Sequence, residues 1–382
     1  MKLSHGLHLA YCTNIHRGQT WTETWDALKR YTLAVRDRVC PKGEYAIGLR
    51  LSDQASRELY DPPQLRAFQK WLERENCYVF TINGFPYGQF HGTRVKEQVY
   101  APDWTTPERL AYTCRLLDIL FEVMPADRNI EGSVSTVPCS YKEFIHSPEQ
   151  ERVIRQNLWK CVEHIAGTNL HLGLEPEPLC YLETSQETVD FLDRMRADRP
   201  GDDRLDRHLG VNYDTCHLAV EFEEPGDVLK RFKRHKVRIS KLHLSSALKV
   251  QANPAARAAL RAFADDTYFH QVIERGAGGT LQRYKDLDVA LAQAGDKEWR
   301  IHFHVPLHSP PTKLFDNTAD HLIGVLDALQ REPSLCSHLE METYTWEVMP
   351  PEMKNRDVVE QLVGEYDWAL KHLAQRGFTR AA

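Results

Sequence analysis

Acidic residues and histidines recur at the ends of short apolar runs, and their types are those that hold a divalent cation. The run His171-Leu172-Gly173-Leu174 leads into Glu175-Pro176-Glu177-Pro178. Alternate residues of a strand share a face, so Glu175 and Glu177 lie together, and the prolines stiffen the exit that delivers them. Gly210-Val211-Asn212-Tyr213 leads into Asp214, with His217 one turn further on. A continued strand would send these two side chains to opposite faces. They converge only if the chain turns after Asp214, as at a strand-to-helix junction. Cys216 stands between them with no second cysteine nearby, which favours a structural thiol over a soft ligand. In Ile239–Ser245, Leu242 and Leu244 flank His243, and leucines packed on covering helices turn the imidazole inward.

A single interior histidine is ordinarily a core residue with its hydrogen bonds satisfied. Successive runs that each bring a metal-competent group form a site. Glu175, Asp214, His217 and His243 are therefore the core of the expected ligand set, and His270, His304 and Glu342 its rim. One ion takes about three or four protein ligands, so the surplus implies a second ion, contacts to substrate, or groups that orient the ligands. Mixed imidazole and carboxylate donors suit zinc or manganese, with cobalt and iron also compatible. Glu177 and His16 are the expected proton-handling groups. Asn14 and Asn83 offer polar contacts to a substrate, and Trp21, Phe85, Tyr87 and Trp346 offer aromatic walls for the faces of a ring.

Such a set needs a scaffold that brings many strand ends to one place. Strand-like runs lie near Leu7–His16, Tyr45–Ser52, Cys77–Phe85, Asn129–Val137, His171–Glu177, Leu209–Asp214, Ile239–Ser245, Arg300–Val305 and His338–Tyr344. Segments of helical periodicity separate them. Ser147-Pro148-Glu149-Gln150 opens one with a capping box, and Ile154, Leu158, Cys161 and Ile165 make its inward stripe. Thr106-Pro107 opens another, for which Leu110, Cys114, Leu117, Phe121 and Met124 make the stripe. This alternation, unbroken by a Gly/Ser-rich or Pro-rich linker, predicts an α/β fold: a TIM (β/α)8 barrel, one domain over 1–382, with an insertion over 247–299. A barrel uses only eight strands, so the last two runs, carrying His304 and Glu342, compete for the final place.

Acidic residues number 54 against 48 lysines and arginines, for a net charge of -6 over 382 residues, and the basic residues are scattered, which removes the electrostatic case for nucleic acid. The nine cysteines include no CxxC pair, against a disulfide framework or zinc knuckle. No run has the pattern of a signal peptide or a membrane span, so a reducing, cytoplasmic setting is expected. The expected partner is a small polyhydroxylated molecule; the oligomeric state is left open.

At Glu175-Pro176-Glu177-Pro178, Asp214-x-x-His217 and His243 the chain resembles the xylose-isomerase-like TIM barrels, which include sugar isomerases, sugar-phosphate epimerases and endonuclease-IV-type enzymes. Within them, Tyr11-Cys12-Thr13-Asn14, His302-Phe303-His304-Val305-Pro306 and Glu342-Thr343-Tyr344-Thr345-Trp346 are most similar to the EboE metabolite traffic protein family, a likeness running nearly end to end. The resemblance implies a role in making or moving a secondary metabolite. Sugar isomerases of the superfamily carry a lysine where this chain has Glu177, so an aldose-ketose isomerisation is not implied. The leading expectation is a metal-dependent isomerase or epimerase acting on a sugar- or cyclitol-like molecule, with the cation polarising a carbonyl or paired hydroxyls while Glu177 moves a proton. A metal-dependent phosphoesterase acting on a small phosphorylated substrate, and a metabolite carrier without turnover, are the alternatives.

Overall fold

Strand, turn and helix alternate because each apolar run ends at a residue that can start a helix. In the computed structural model, which describes residues 1–92, 94–125, 130–264, 267–293, 295–350 and 356–381, Thr20, Ser147 and Thr184 each cap a helix and are answered by Glu23, Gln150 and Glu187 in reciprocal capping boxes. The barrel strands are β1 (His8–Tyr11), β2 (Tyr45–Arg50), β3 (Cys77–Asn83), β4 (Gly132–Thr136), β5 (Leu170–Leu174), β6 (Leu209–Asp214) and β7 (Arg238–Leu244). There follow β8 (Ala247–Gln251), β9 (Val272–Arg275), β10 (Leu281–Tyr284), β11 (Glu298–His304) and β12 (Asp316–Asn317), and then β13 (His338–Met341). Asn129, where the fourth run was expected to begin, lies outside the described residues.

The parallel sheet has the order β1-β13-β7-β6-β5-β4-β3-β2, and a parallel bridge between Cys12 and Gly48 joins its two edges into a nearly closed barrel. This is a TIM barrel with helices between the strands. The eighth place belongs to β13. The competing run, Arg300–Val305, falls in β11, which pairs antiparallel with β8 and β9 in a separate sheet of order β10-β9-β11-β8-β12. β11 is almost wholly buried, so its apolar pattern is as continuous as that of a barrel strand. The added sheet spans Ala247 to Asn317, beyond the expected limit at residue 299, and packs around its own apolar cluster of Leu248, Val250, Trp299, Ile301 and Phe303.

The helix Pro148–His164 buries the expected Ile154, Leu158 and Cys161, with Ile165 at its C-cap also buried. The helix Pro107–Val123 is rotated from expectation: Phe121 is 45% exposed, while Tyr112, Leu116, Leu117 and Leu120 face the core. Leu110, Cys114 and Phe121 are apolar residues outside its buried face, so periodicity alone did not define the inner one.

The barrel axis is polar. TIM-barrel interiors are usually filled by branched aliphatic side chains. Here His8, His171 and His338 occupy the end nearest the strand N-termini, and Lys241 and Glu340 lie above them, all buried. Gly48 makes the room: a Cβ there would overlap Glu340 Oε1 and the Tyr11 carbonyl.

Candidate metal centre

Four carboxylate or imidazole groups meet at the C-terminal ends of four adjacent strands. Glu175 follows β5, Asp214 ends β6, His243 lies in β7 and Glu342 follows β13, and their donor atoms all lie within 4.8 Å of one another. His243 Nδ1 is 3.1 Å from Glu175 Oε1, 3.4 Å from Asp214 Oδ2 and 3.2 Å from Glu342 Oε2. Its other nitrogen, Nε2, lies 2.8 Å from Glu340 Oε2, which also accepts from Lys241 Nζ at 2.6 Å. Asn14 and Asn83 each donate to Glu342 Oε1, at 2.7 and 3.3 Å.

The turn after Asp214 is a helix cap. Asp214 Oδ1 accepts from the Cys216 and His217 backbone N–H groups at 2.7 and 3.0 Å and from Ser245 Oγ at 2.6 Å, which draws His217 back over the site. That leaves Asp214 Oδ2, like Glu175 Oε2, buried and without a hydrogen-bond partner. A buried carboxylate oxygen with no donor is costly. Two such atoms in one cluster of donors fit a cation, as does the charge: Glu175, Glu177, Asp214, Glu340 and Glu342 are buried near Lys241.

Local fields follow from this crowding. Burial opposes charge on His243, yet Glu342 and Glu175 hold its pKa well above the usual imidazole value. Burial would raise Asp214, but His217 and the contact with His243 keep it well below the carboxylate range. Burial likewise opposes ionisation of Glu340, and Lys241 and His243 override it, bringing the pKa to about 2. Glu177 goes the other way. Burial, then the charge of Glu175, raises it well above 4.5 and outweighs the Tyr100 hydroxyl that donates to it at 3.0 Å.

Beside this cluster, His217 Nδ1 donates to the Pro176 carbonyl at 3.0 Å and His304 Nδ1 to the Glu342 carbonyl at 3.0 Å. Both acceptors lack hydrogen, so both Nδ1 atoms carry a proton, and in the neutral tautomer this leaves the lone pair of each ring on Nε2. Those Nε2 atoms face each other at 3.3 Å, and with Asp214 they form a second group of donors within 4.8 Å. His302 packs against both rings, its Nδ1 2.7 Å from Gln271 Oε1.

Asn14, Asn83, Phe85, Glu175, Glu177, His217 and Glu342 thus line one cavity. Other expected site residues lie elsewhere. His16 hydrogen-bonds Tyr11 Oη at 2.9 Å and stacks on Tyr31, outside the cluster. Trp21 packs on Trp25 and Phe68, and Tyr87 on Tyr112, both among the helices outside the barrel. The turn Tyr344–Val348 points Tyr344 into the cavity and carries Trp346 to a neighbouring groove. His270 donates to the His302 carbonyl at 3.2 Å and packs on Phe303 of the added sheet, and it belongs to none of the candidate donor groups found among the described residues. Sequence reasoning passed over Lys241 and Glu340, although each stands two residues before an expected ligand and so on the same strand face.

Fold and site together define a TIM barrel with a candidate metal centre at the C-terminal ends of its strands. No family model matches the sequence, and no curated protein matches it. Solved structures similar to it include the IOLI protein with a bound zinc atom, 12% identical over 96% of this chain and 98% of that chain, with TM-score 0.52. A D-psicose 3-epimerase with D-tagatose from Clostridium cellulolyticum H10 is 11% identical over 97% and 98%, with TM-score 0.51. A D-allulose 3-epimerase from Methylomonas sp. in complex with D-allulose is 14% identical over 98% and 99%, with TM-score 0.50. Among the described residues, no helix is long and apolar enough to cross a membrane.

Proposed function

We propose that this protein is a metal-dependent epimerase- or isomerase-like enzyme acting on a sugar- or cyclitol-like molecule. The observation that carries the reading is the convergence of Glu175, Asp214, His243 and Glu342 from four adjacent strand ends, with two carboxylate oxygens left without protein partners. Zinc or manganese suits this donor set, and the opposed Nε2 atoms of His217 and His304, with Asp214, extend it to a second ion. A cation so held supplies polarisation of a carbonyl or hydroxyl pair and stabilises enediolate-like charge. The protein's own groups do the rest. Glu177, its pKa raised well above the usual carboxylate value by burial and then by Glu175, is the proton-handling group at the cavity wall, and Tyr100 fixes its orientation. Asn14 and Asn83 fix Glu342. A phosphoester substrate is less favoured, because Lys96, the lysine lining the cavity, is already ion-paired with Asp286. The resemblance to the EboE family supports a substrate drawn from secondary-metabolite biosynthesis or traffic.

Elemental analysis of protein purified without chelator tests the reading. Wild type is expected to carry at least one equivalent of divalent ion and Asp214→Asn to lose it; a metal-free wild type that also fails to take up added zinc or manganese refutes the proposal. Incorporation of solvent deuterium into turned-over substrate separates an epimerase from a phosphatase, which releases phosphate, and from a carrier, which does neither.

A further inference from the structure

The cavity over the metal centre is lined by two unlike sets of side chains. Asn14, Asn83, Glu175, Glu177, His217 and Glu342, with Tyr100, His302 and Tyr344, make the polar set; Phe85, Phe90, Val95, Val99, Tyr268 and Phe269 make the second, in which Phe90, Val95, Val99 and Tyr268 pack in one cluster. We infer that the substrate is amphipathic: one edge carries paired oxygens, a diol or a hydroxyl beside a carbonyl, and the remaining body is uncharged and apolar or aromatic rather than hydroxylated throughout. This rests on the metal-centre reading and narrows its sugar- or cyclitol-like substrate to one whose hydroxyls are confined to a single edge.

The second set offers a hydroxylated body little to bond. Tyr268 Oη is engaged with His91 Nδ1 at 2.8 Å. Lys96 Nζ is paired with Asp286 and lies 5.3 Å from the Phe269 ring centre. The main chain is turned inward as well: Val95 and Lys96 N–H both donate to the Thr267 carbonyl, at 3.0 and 3.2 Å, and Phe85 N–H donates to Asn83 Oδ1 at 3.1 Å. A polyol carries hydroxyls around its whole carbon frame, so those turned to this wall would exchange water for no partner, a loss that outweighs the dispersion attraction of the wall. An apolar ring or chain loses no hydrogen bond there and is removed from water. Charge is disfavoured on the same ground, because an anionic tail would meet the carboxylates on one side and a neutralised lysine on the other.

Hydroxamates that share a bidentate oxygen head and differ only in the body test this. Zinc-loaded protein, its metal content verified by elemental analysis, is titrated calorimetrically with benzohydroxamate, cyclohexanecarbohydroxamate and the polyhydroxylated hydroxamate of threonic acid. The two apolar-bodied probes are expected to bind at least ~10-fold tighter, the order of one or two hydroxyls left unpaired. Val99→Thr, which places a hydroxyl in the apolar wall at nearly constant volume, is expected to narrow that ratio with metal content unchanged. Equal or tighter binding of the threonic probe, no binding of any probe to metal-loaded protein, or an unchanged ratio in Val99→Thr overturns the inference while the metal centre stands. Protein that takes up no metal overturns the metal-centre reading itself.

Discussion

Acid should destabilise this protein through the histidine layer at the closed end of the barrel. His8 lies 2.6 Å from Tyr78 Oη through Nδ1, and burial, aided by the nearby amino terminus and Lys2, lowers its pKa from 6.5 to about 4. His338 Nδ1 meets Ser133 Oγ at 2.8 Å, and His171 makes no side-chain hydrogen bond, its Nε2 lying 3.8 Å from Glu131 Oε2. Burial holds both well below 6.5. The unfolded chain takes up a proton on each ring as pH falls through the ordinary value, whereas the folded chain does not until the depressed value is reached. The unfolded state therefore binds more protons across that window, and stability that is complete above pH 6.5 is lost as pH falls. Each histidine contributes about 1.4 kcal/mol per pH unit. For His8 alone this amounts to roughly 2 kcal/mol between about pH 6 and 4.5, a span that lies inside its shift. Buried carboxylates such as Glu177 contribute with the opposite sign, so the difference between two proteins is the decisive quantity. Urea unfolding of wild type and His8→Gln at several pH values should show the wild-type free energy falling more steeply by about 1.4 kcal/mol per unit over that range. A constant offset would report lost packing only; parallel slopes would refute the assignment of His8 as a buried neutral imidazole.

Gly48→Ala should destabilise the barrel by about 1–3 kcal/mol and lower its metal content, because the added methyl overlaps Glu340 Oε1 and the Tyr11 carbonyl at the closing edge. Thermal unfolding and metal analysis check it, and a wild-type melting temperature would contradict the packing described. Glu340→Gln should weaken zinc binding by roughly 10–100-fold with the fold intact, since it removes the charge that orients His243 Nε2. Competition with a chromophoric chelator measures this, and unchanged affinity would separate Glu340 from the centre.

Much of the candidate cluster was legible because its residues obey local rules. Glu175 and Glu177 share a strand face, and Asp214 and His217 are joined by a cap whose acceptor is Asp214 itself. What stayed hidden was tertiary. β11 and β13 are both short and buried, and nothing within either run says that one pairs antiparallel in an added sheet while the other closes the barrel. The aromatic residues fared worst for the same reason: Trp21, Tyr87 and Trp346 have the chemistry of a ring-binding wall, but only packing decides which aromatic faces a cavity and which faces a helix.

The Lys241–Glu340 pair shows how far the site reaches into the scaffold. A fully buried ion pair is weak support for stability, since desolvating both charges offsets most of their attraction, and aliphatic residues in the same space commonly do as well. Stability therefore gives little reason for a lysine and a glutamate on the axis of this barrel, or for the glycine that accommodates them. Their geometry supplies one. Glu340 Oε2 receives both Lys241 Nζ and His243 Nε2, which fixes the imidazole with Nδ1 facing Glu175, Asp214 and Glu342. Lys241 also donates to Ser135 Oγ at 3.1 Å, which fixes the ammonium and through it the carboxylate. On the proposed reading, the polar axis is thus the lower half of the candidate metal centre, one layer beneath the groups that would hold the ion.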